Sequence, residues 1–323
     1  MNGVAEQQPE WVAKVQNQSR LSFGLAVASM ARQDESVVAV SADTLDLIGL
    51  REMMADSPER VLEAGIAEQN AMGIASGLAT TGMRPYLCGY APFFTARSME
   101  QLRNDVAYAN QRVVIGASCS GITLGVSGGT HHAVEDLALL RTLPNMTVLV
   151  PADAHQAWHL TQATAALDGP VYVRLGGRYE EKPVTPIDAA PVVGKADIVR
   201  EGNHVSVIAC GCLVADAIEA ADRLAPEGIT VRVINMHTIK PLDRDAVLAA
   251  AAETHGIVTA EEHHVTGGLG GAVAELLAQE HPTRMRFVGL PDEFAIVGPT
   301  PTVRKHYGMS ADNIVEQCRA LLD

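Results

Sequence analysis

One carboxylate, Glu68, stands at the head of a helix-like run in EAGIAEQNAMGIASGLATTG, among residues that are otherwise mostly small and apolar. An acid in the first turn of a helix complements the positive end of the helix dipole. It can also do chemistry. The Gly- and Ala-rich helix behind it invites close packing, and a carboxyl group held against such a surface is poorly solvated. Desolvation raises its proton affinity, leaving it able to donate or share a proton near neutral pH. Downstream, GYAPFFTARS places Tyr90, Phe93 and Phe94 together in a chain with 4% aromatic residues. These rings are either core packing or a stacking surface for a flat heterocycle, where each ring pair adds about 1 kcal/mol beyond area burial. A third stretch, SCSGITLGVSGGTHHAVEDLALLRTLPNM, threads Gly121, Gly125, Gly128 and Gly129 through a tight loop that ends in His131 and His132. A histidine between such a loop and a helix suits hydrogen bonding or proton transfer to a bound substrate. His132 with Glu135 or Asp136 has helical spacing for two metal ligands, but no third ligand of suitable spacing follows.

Other motifs carry less. HHVTGGLGGAVAEL does not keep the spacing of a dinucleotide-binding loop, so its glycines are expected to serve close packing at a helix start. Cys88, Cys119, Cys210, Cys212 and Cys318 form no CxxC pair, which argues against a zinc site or a disulfide framework. They fit a reducing compartment. The formal charge of -14, without a basic run, disfavours nucleic acid and anionic membranes as partners. No stretch reaches about 18 uninterrupted apolar residues, and MNGVAEQQPEWVAKVQ lacks a signal-peptide profile, so the expected location is cytoplasmic.

The elements that position these residues follow from the hydrophobic pattern. SVVAVSAD, QRVVIGAS, MTVLVPAD and PVYVRL are β-branched, near-continuously apolar runs, and they alternate with helical patterns such as SFGLAVASMARQ and HQAWHLTQATAAL. This predicts an α/β fold with a doubly wound, mainly parallel sheet covered on both faces. Proline and mixed charge then interrupt the rhythm before a second alternation begins at HVSVIACG. The expected organisation is a domain at 1–180, a linker at 181–195 and a smaller α/β domain at 196–323.

Taken in this order, the motifs resemble the C-terminal half of the transketolase family, and most closely the smaller subunit of split transketolases. EAGIAEQNAMGIASGLA, GYAPFFTARSMEQLRNDVAY, GGTHHAVEDLALLRTLPNMTVLVPAD, GPVYVRLG and VRVINMHTIKPLD carry the resemblance over nearly the whole chain. It implies a pyrimidine-binding domain for thiamine diphosphate, followed by the family's C-terminal domain. It further implies that Glu68 hydrogen-bonds the ring nitrogen of the aminopyrimidine and promotes formation of the reactive ylid. Tyr90 and Phe93 match the residues that stack on that ring. His131 matches a histidine near the reacting carbon of the donor, and Arg174 an arginine that holds a sugar phosphate. Cys119 and Ser127 stand where typical members carry a His and an Asp that contact donor hydroxyls, which puts the ordinary substrate preference in doubt.

The family holds the cofactor's diphosphate through a divalent metal bound by a GDG motif, and no GDG occurs in this chain. The resemblance therefore implies that Mg²⁺ and diphosphate are bound by a second transketolase-like subunit, in a two-plus-two heterotetramer. The expected activity is transfer of a two-carbon dihydroxyethyl unit from a ketose phosphate to an acceptor. A lipoyl or carrier-protein thiol is an alternative acceptor. The β subunit of a 2-oxoacid dehydrogenase and a non-catalytic scaffold are further readings.

Overall fold

The computed structural model describes residues 8–179 and 181–323. The first seven residues, part of the stretch read for a signal-peptide profile and of the expected 1–180 domain, lie outside the described residues, as does Glu180.

The β-branched runs become strands β1 (Val37–Ser41), β4 (Val114–Ser118), β5 (Thr147–Leu149) and β6 (Val171–Arg174). These join β2 (Val61–Glu63) and β3 (Arg84–Tyr90) in the first sheet. Every residue of β1, β4 and β6 is buried, as expected of strands covered on both faces. With β10 (Thr238–Lys240) added at one edge, the spatial order is β10-β5-β6-β4-β3-β1-β2, with all pairings parallel except that of β10. Helices Ser19–Ala31 and Ala154–Ala163 contribute Phe23, Val27, Ala157 and Leu160 to the apolar layer on one face of this sheet. Helices Glu68–Thr80 and Asp136–Arg141 contribute Ala71, Met72, Leu137 and Leu140 to the layer on the other.

Strands β7 (Asp197–Arg200), β8 (Val205–Ala209), β9 (Val231–Asn235), β11 (Ile257–His264) and β12 (Met285–Leu290) form the second sheet, in the order β12-β11-β8-β9-β7. The architecture is thus α/β with two mainly parallel sheets. One segment of the expected 196–323 domain crosses over: β10 (Thr238–Lys240) pairs antiparallel with β5 and forms the edge of the first sheet. Lys240 Nζ reinforces this by donating to Arg141 O at 3.0 Å. Apolar packing runs continuously from Leu140 and Val148 of the first sheet's layer to Met236, Ile239 and Val273.

The glycines of HHVTGGLGGAVAEL serve packing, as expected. A Cβ on Gly268 would lie 2.0 Å from Glu261 Oε2, and that carboxylate accepts the Leu269 and Gly270 N–H groups at the start of helix Leu269–Glu280.

Residues 181–195 form no regular element but are tied to the first domain. Asp153 Oδ2 accepts from Val184 N and Thr185 N, both at 2.6 Å. Glu181 is buried and accepts from Ser19 N at 3.0 Å and Ser19 Oγ at 2.6 Å. Burial outweighs these bonds and pushes its carboxyl from 4.5 up to about 8. Between those two values the folded chain keeps a proton that the unfolded chain has released, so this group's contribution to stability declines as pH rises from about 4.5 to about 8. Urea unfolding across that range is expected to show a shallower decline for Glu181→Gln than for wild type. Equal slopes for the two proteins would contradict this.

Candidate active site

The residues picked out for chemistry gather at the carboxyl edge of the first sheet, where ligands sit in open α/β sheets. Glu68 follows β2 and opens helix Glu68–Thr80 with only 2% of its surface exposed. A charge so buried needs a partner, and Arg97 supplies it: Nη1 donates to Glu68 Oε2 at 2.6 Å. The sequence-based expectation of a carboxyl perturbed by desolvation alone thus omits a neighbouring cation. The expectation of close packing along the helix also needs amendment. Among the described residues, nothing lies within 4 Å of a Cβ placed on Gly73 or Gly77, so the face at these two glycines is open there.

Tyr90 ends β3, and the chain then turns through Ala91 and Pro92 into a widened helical turn, Phe93–Arg97. Ser98 N donates to Phe93 O at 3.1 Å to close that turn, and Ser98 Oγ caps Phe94 O at 3.0 Å. Such single π-turns recur at functional sites. Here the turn separates two adjacent aromatics. Phe94 is fully buried, and Gly89 makes room for its ring, since a Cβ there would lie 2.6 Å from it. Phe93 stays half-buried and faces the site. Its ring centroid is 5.9 Å from that of Tyr90 and 5.3 Å from that of His131, while Tyr90 and His131 are 6.3 Å apart. The Arg97 guanidinium carbon lies 4.3 Å from the Phe93 centroid. Glu68, Arg97, Phe93, Tyr90 and His131 are therefore one contiguous group.

His131 is held there by its loop. Gly121 and Ala133 exchange two backbone hydrogen bonds of 2.9 Å and close the neck of the loop. The far side rests on the second domain, where Gly298 N donates to Gly125 O at 3.1 Å; any Cβ on Gly125 would lie 2.4 Å from Gly298 O. His131 Nδ1 is 3.0 Å from Thr130 Oγ1. His132 turns inward, with neither ring nitrogen hydrogen-bonded among the described residues, and burial lowers its pKa. Asp136, one of the two acids at ligand spacing from His132, is committed to Arg174, and among the described residues no group of three or more His, Cys, Asp or Glu side chains is placed to hold a metal.

Two residues sit differently from their sequence-based roles. Arg174, read as holding a sugar phosphate, is 5% exposed and committed to Asp136. Its Nε donates to Asp136 Oδ2 at 2.8 Å, and its Nη2 to Asp136 Oδ1, Ala133 O and Glu262 O at 3.0, 2.9 and 3.0 Å. Tyr172 Oη completes the cluster, donating to Asp136 Oδ2 at 2.7 Å. Burial pushes the Asp136 carboxyl up, but the Arg174 charge and hydrogen bonds outweigh it and hold the group below its usual range. Cys119, expected to face substrate, is wholly buried in the apolar cluster that contains Phe23, Leu149 and Val173, where burial pushes its thiol up to about 11. Ser127 lies exposed on the loop's outer turn.

Sequence reasoning missed Arg97, Arg20 and Arg178. Arg97 follows Phe93 by four residues, and that spacing on a helical turn was the available signal. Arg20 and Arg178 lie near Tyr90 and Cys119: burial raises both of those groups, against the opposing pull of the two arginines. Arg20 is tied to Gly177 O, Leu47 O and Gln18, whereas Arg178 is exposed at the rim.

The chain matches the transketolase pyrimidine-binding domain over residues 16–178 and the transketolase C-terminal domain over residues 194–314. It belongs to the transketolase family. Among its relatives, an apulose-4-phosphate transketolase subunit of Phocaeicola vulgatus is 38% identical over 304 residues, covering 94% of this transketolase-family chain and 96% of that one. The 6-deoxy-6-sulfo-D-fructose transketolase subunit SqwH of a Clostridium species is 39% identical over 288 residues, 88% of each chain. A solved structure described as a split gene transketolase, inactive beta4 tetramer, superposes with a TM-score of 0.86 at 37% identity, covering 95% of this chain and 98% of that one. Like these relatives, the chain is an enzyme subunit of the split, transferase type.

The Asp136–Arg174 pair yields a prediction that separates structure from substrate binding. Arg174→Met leaves a buried carboxylate without its cation and should cost about 3–5 kcal/mol in urea unfolding. Wild-type stability in that variant would show that Arg174 is not the structural anchor described here.

Proposed function

We propose that this chain supplies the aminopyrimidine half of a thiamine diphosphate site, completed by a second subunit that binds Mg²⁺ and the cofactor's diphosphate. The assembled enzyme moves a two-carbon ketol unit from a ketose to an acceptor. The observation that carries the reading is the grouping of a buried helix-start carboxylate, Glu68, with the half-buried rings of Phe93 and Tyr90 and with His131. These residues fit the group: a carboxylate to hold a proton at a ring nitrogen, flat rings to stack on a flat heterocycle, and an imidazole at the open end. When bound, thiamine diphosphate supplies the carbanion-stabilising chemistry needed to break and form a bond beside a carbonyl.

The residues divide the remaining work. Glu68 holds the shared proton at the pyrimidine, and its burial excludes water from that contact. Phe93 and Tyr90 fix the plane of the ring. His131, whose ring can both give and take a proton, hydrogen-bonds the donor's oxygen and moves a proton there. At the far end Arg178 is an exposed cation beside Tyr90 and Cys119, which suits a ketose bearing an anionic group. The relatives named for apulose 4-phosphate and 6-deoxy-6-sulfofructose act on ketoses that carry such groups. Cys119, neutral and enclosed, shapes the wall beneath this end without offering a donor hydroxyl a charged partner.

The partner subunit follows from what the chain lacks and what it leaves open. It carries no GDG motif. The open Gly73 and Gly77 face lies on the same helix that Glu68 begins, so another chain packed there would adjoin the pyrimidine residues. A two-plus-two heterotetramer meets both requirements.

Glu68→Gln in the reconstituted pair tests the reading. Ketol transfer should fall by at least about a hundredfold, within the range that general acid–base groups contribute, while size-exclusion chromatography shows unchanged assembly. Undiminished turnover would support a scaffold role instead. His131→Ala should lower turnover of the same assembled pair by a further measure of the same kind.

A further inference from the structure

Arg97 makes two contacts, and they are the two contacts that the reading above reserves for the aminopyrimidine. Its guanidinium lies over the Phe93 ring, with its carbon 4.3 Å from the centroid, and donates to Glu68 Oε2 at 2.6 Å. A guanidinium is a flat, delocalised cation with N–H donors in its plane, so it can stack on an aromatic face and pair with a carboxylate at once. A protonated or proton-sharing aminopyrimidine is likewise flat with N–H donors in its plane, and it has the same needs. We propose that Arg97 is a stand-in for the aminopyrimidine, occupying Glu68 and Phe93 in the unloaded subunit and swinging out when thiamine diphosphate binds. This rests on the assignment of Glu68 and Phe93 as the pyrimidine's partners.

The surroundings allow the exchange. Glu68 is almost fully enclosed, but the Arg97 side chain is 46% exposed, and it borders a recess of about 280 Å³ lined also by Ile66, Ala67, Gln69 and Asn70. The guanidinium can therefore leave into water without unpacking the core. Half-exposed ion pairs are weakly held, whereas a buried carboxylate with no partner is costly. Arg97 thus matches the charge of Glu68 before the cofactor arrives and gives it up cheaply afterwards. The Asp136–Arg174 pair, enclosed on both sides, has no such freedom.

A competing occupant lowers the apparent affinity of a ligand by the fraction of time that it holds the site. Isothermal titration of thiamine diphosphate with Mg²⁺ into the reconstituted pair reads this directly. Arg97→Met keeps an apolar contact with Phe93 but removes the charge and the donors, and its dissociation constant should fall about fivefold below wild type. Arg97→Lys can still pair with Glu68 but cannot lie flat on the ring, and it should fall between the two. An Arg97→Met pair that binds no better than wild type, or binds more weakly, overturns the stand-in role and leaves the cofactor assignment intact. A wild-type pair that assembles yet binds no thiamine diphosphate overturns both.

Discussion

The buried Asp136–Arg174 pair is the constraint around which the site is built. Asp136 begins the helix that follows the glycine loop, Arg174 ends the interior strand β6, and the same guanidinium reaches Glu262 O in strand β11 of the second domain. One cation thus joins the first sheet, the loop bearing His131 and the second domain. His264 N, donating to Val134 O at 2.8 Å, adds a backbone link at the same junction. Enclosed charges attract far more strongly than exposed ones and are correspondingly intolerant of losing a partner. The loop is therefore fixed in place before any ligand arrives, and His131 comes with it. The second domain contributes by clamping that loop from behind.

Glu68 faces the opposite requirement. On the proposed function it meets the cofactor, so its partner has to be one that can leave. The contrast between Arg174 at 5% exposure and Arg97 with a side chain 46% exposed expresses this difference physically. A carboxylate and an arginine thus form a permanent joint in one place and, as proposed, an exchangeable contact in the other. Which of the two an Asp/Glu–Arg pair becomes is decided by how much water reaches the arginine.

Much of this was legible from the residues. The β-branched runs of β1, β4, β6 and β8 are buried at every position, and burial on both faces is what a continuous apolar run encodes. Glu68, Tyr90, Phe93 and His131 announced themselves by chemistry that their neighbours did not require, and the fold brings them together. What stayed hidden depends on distant partners. Arg174 carries no mark distinguishing a phosphate ligand from a structural cation, because Asp136 lies 38 residues away and is met only in the fold. Cys119 gave no sign of being enclosed by Phe23 and Leu149. Strand β10 is three residues long, too short for a period to show, and it crosses to the first sheet because the edge of β5 is open to it.

On this reading the chain holds half of a site whose other half lies on a second subunit. The most direct test is thiamine diphosphate binding, with Mg²⁺ present, by this chain alone, by its partner alone and by the two together. Saturable binding in the mixture at one cofactor per pair, with neither chain alone retaining it at the same concentration, is the predicted result. Tight, stoichiometric binding by this chain in isolation would contradict the divided site.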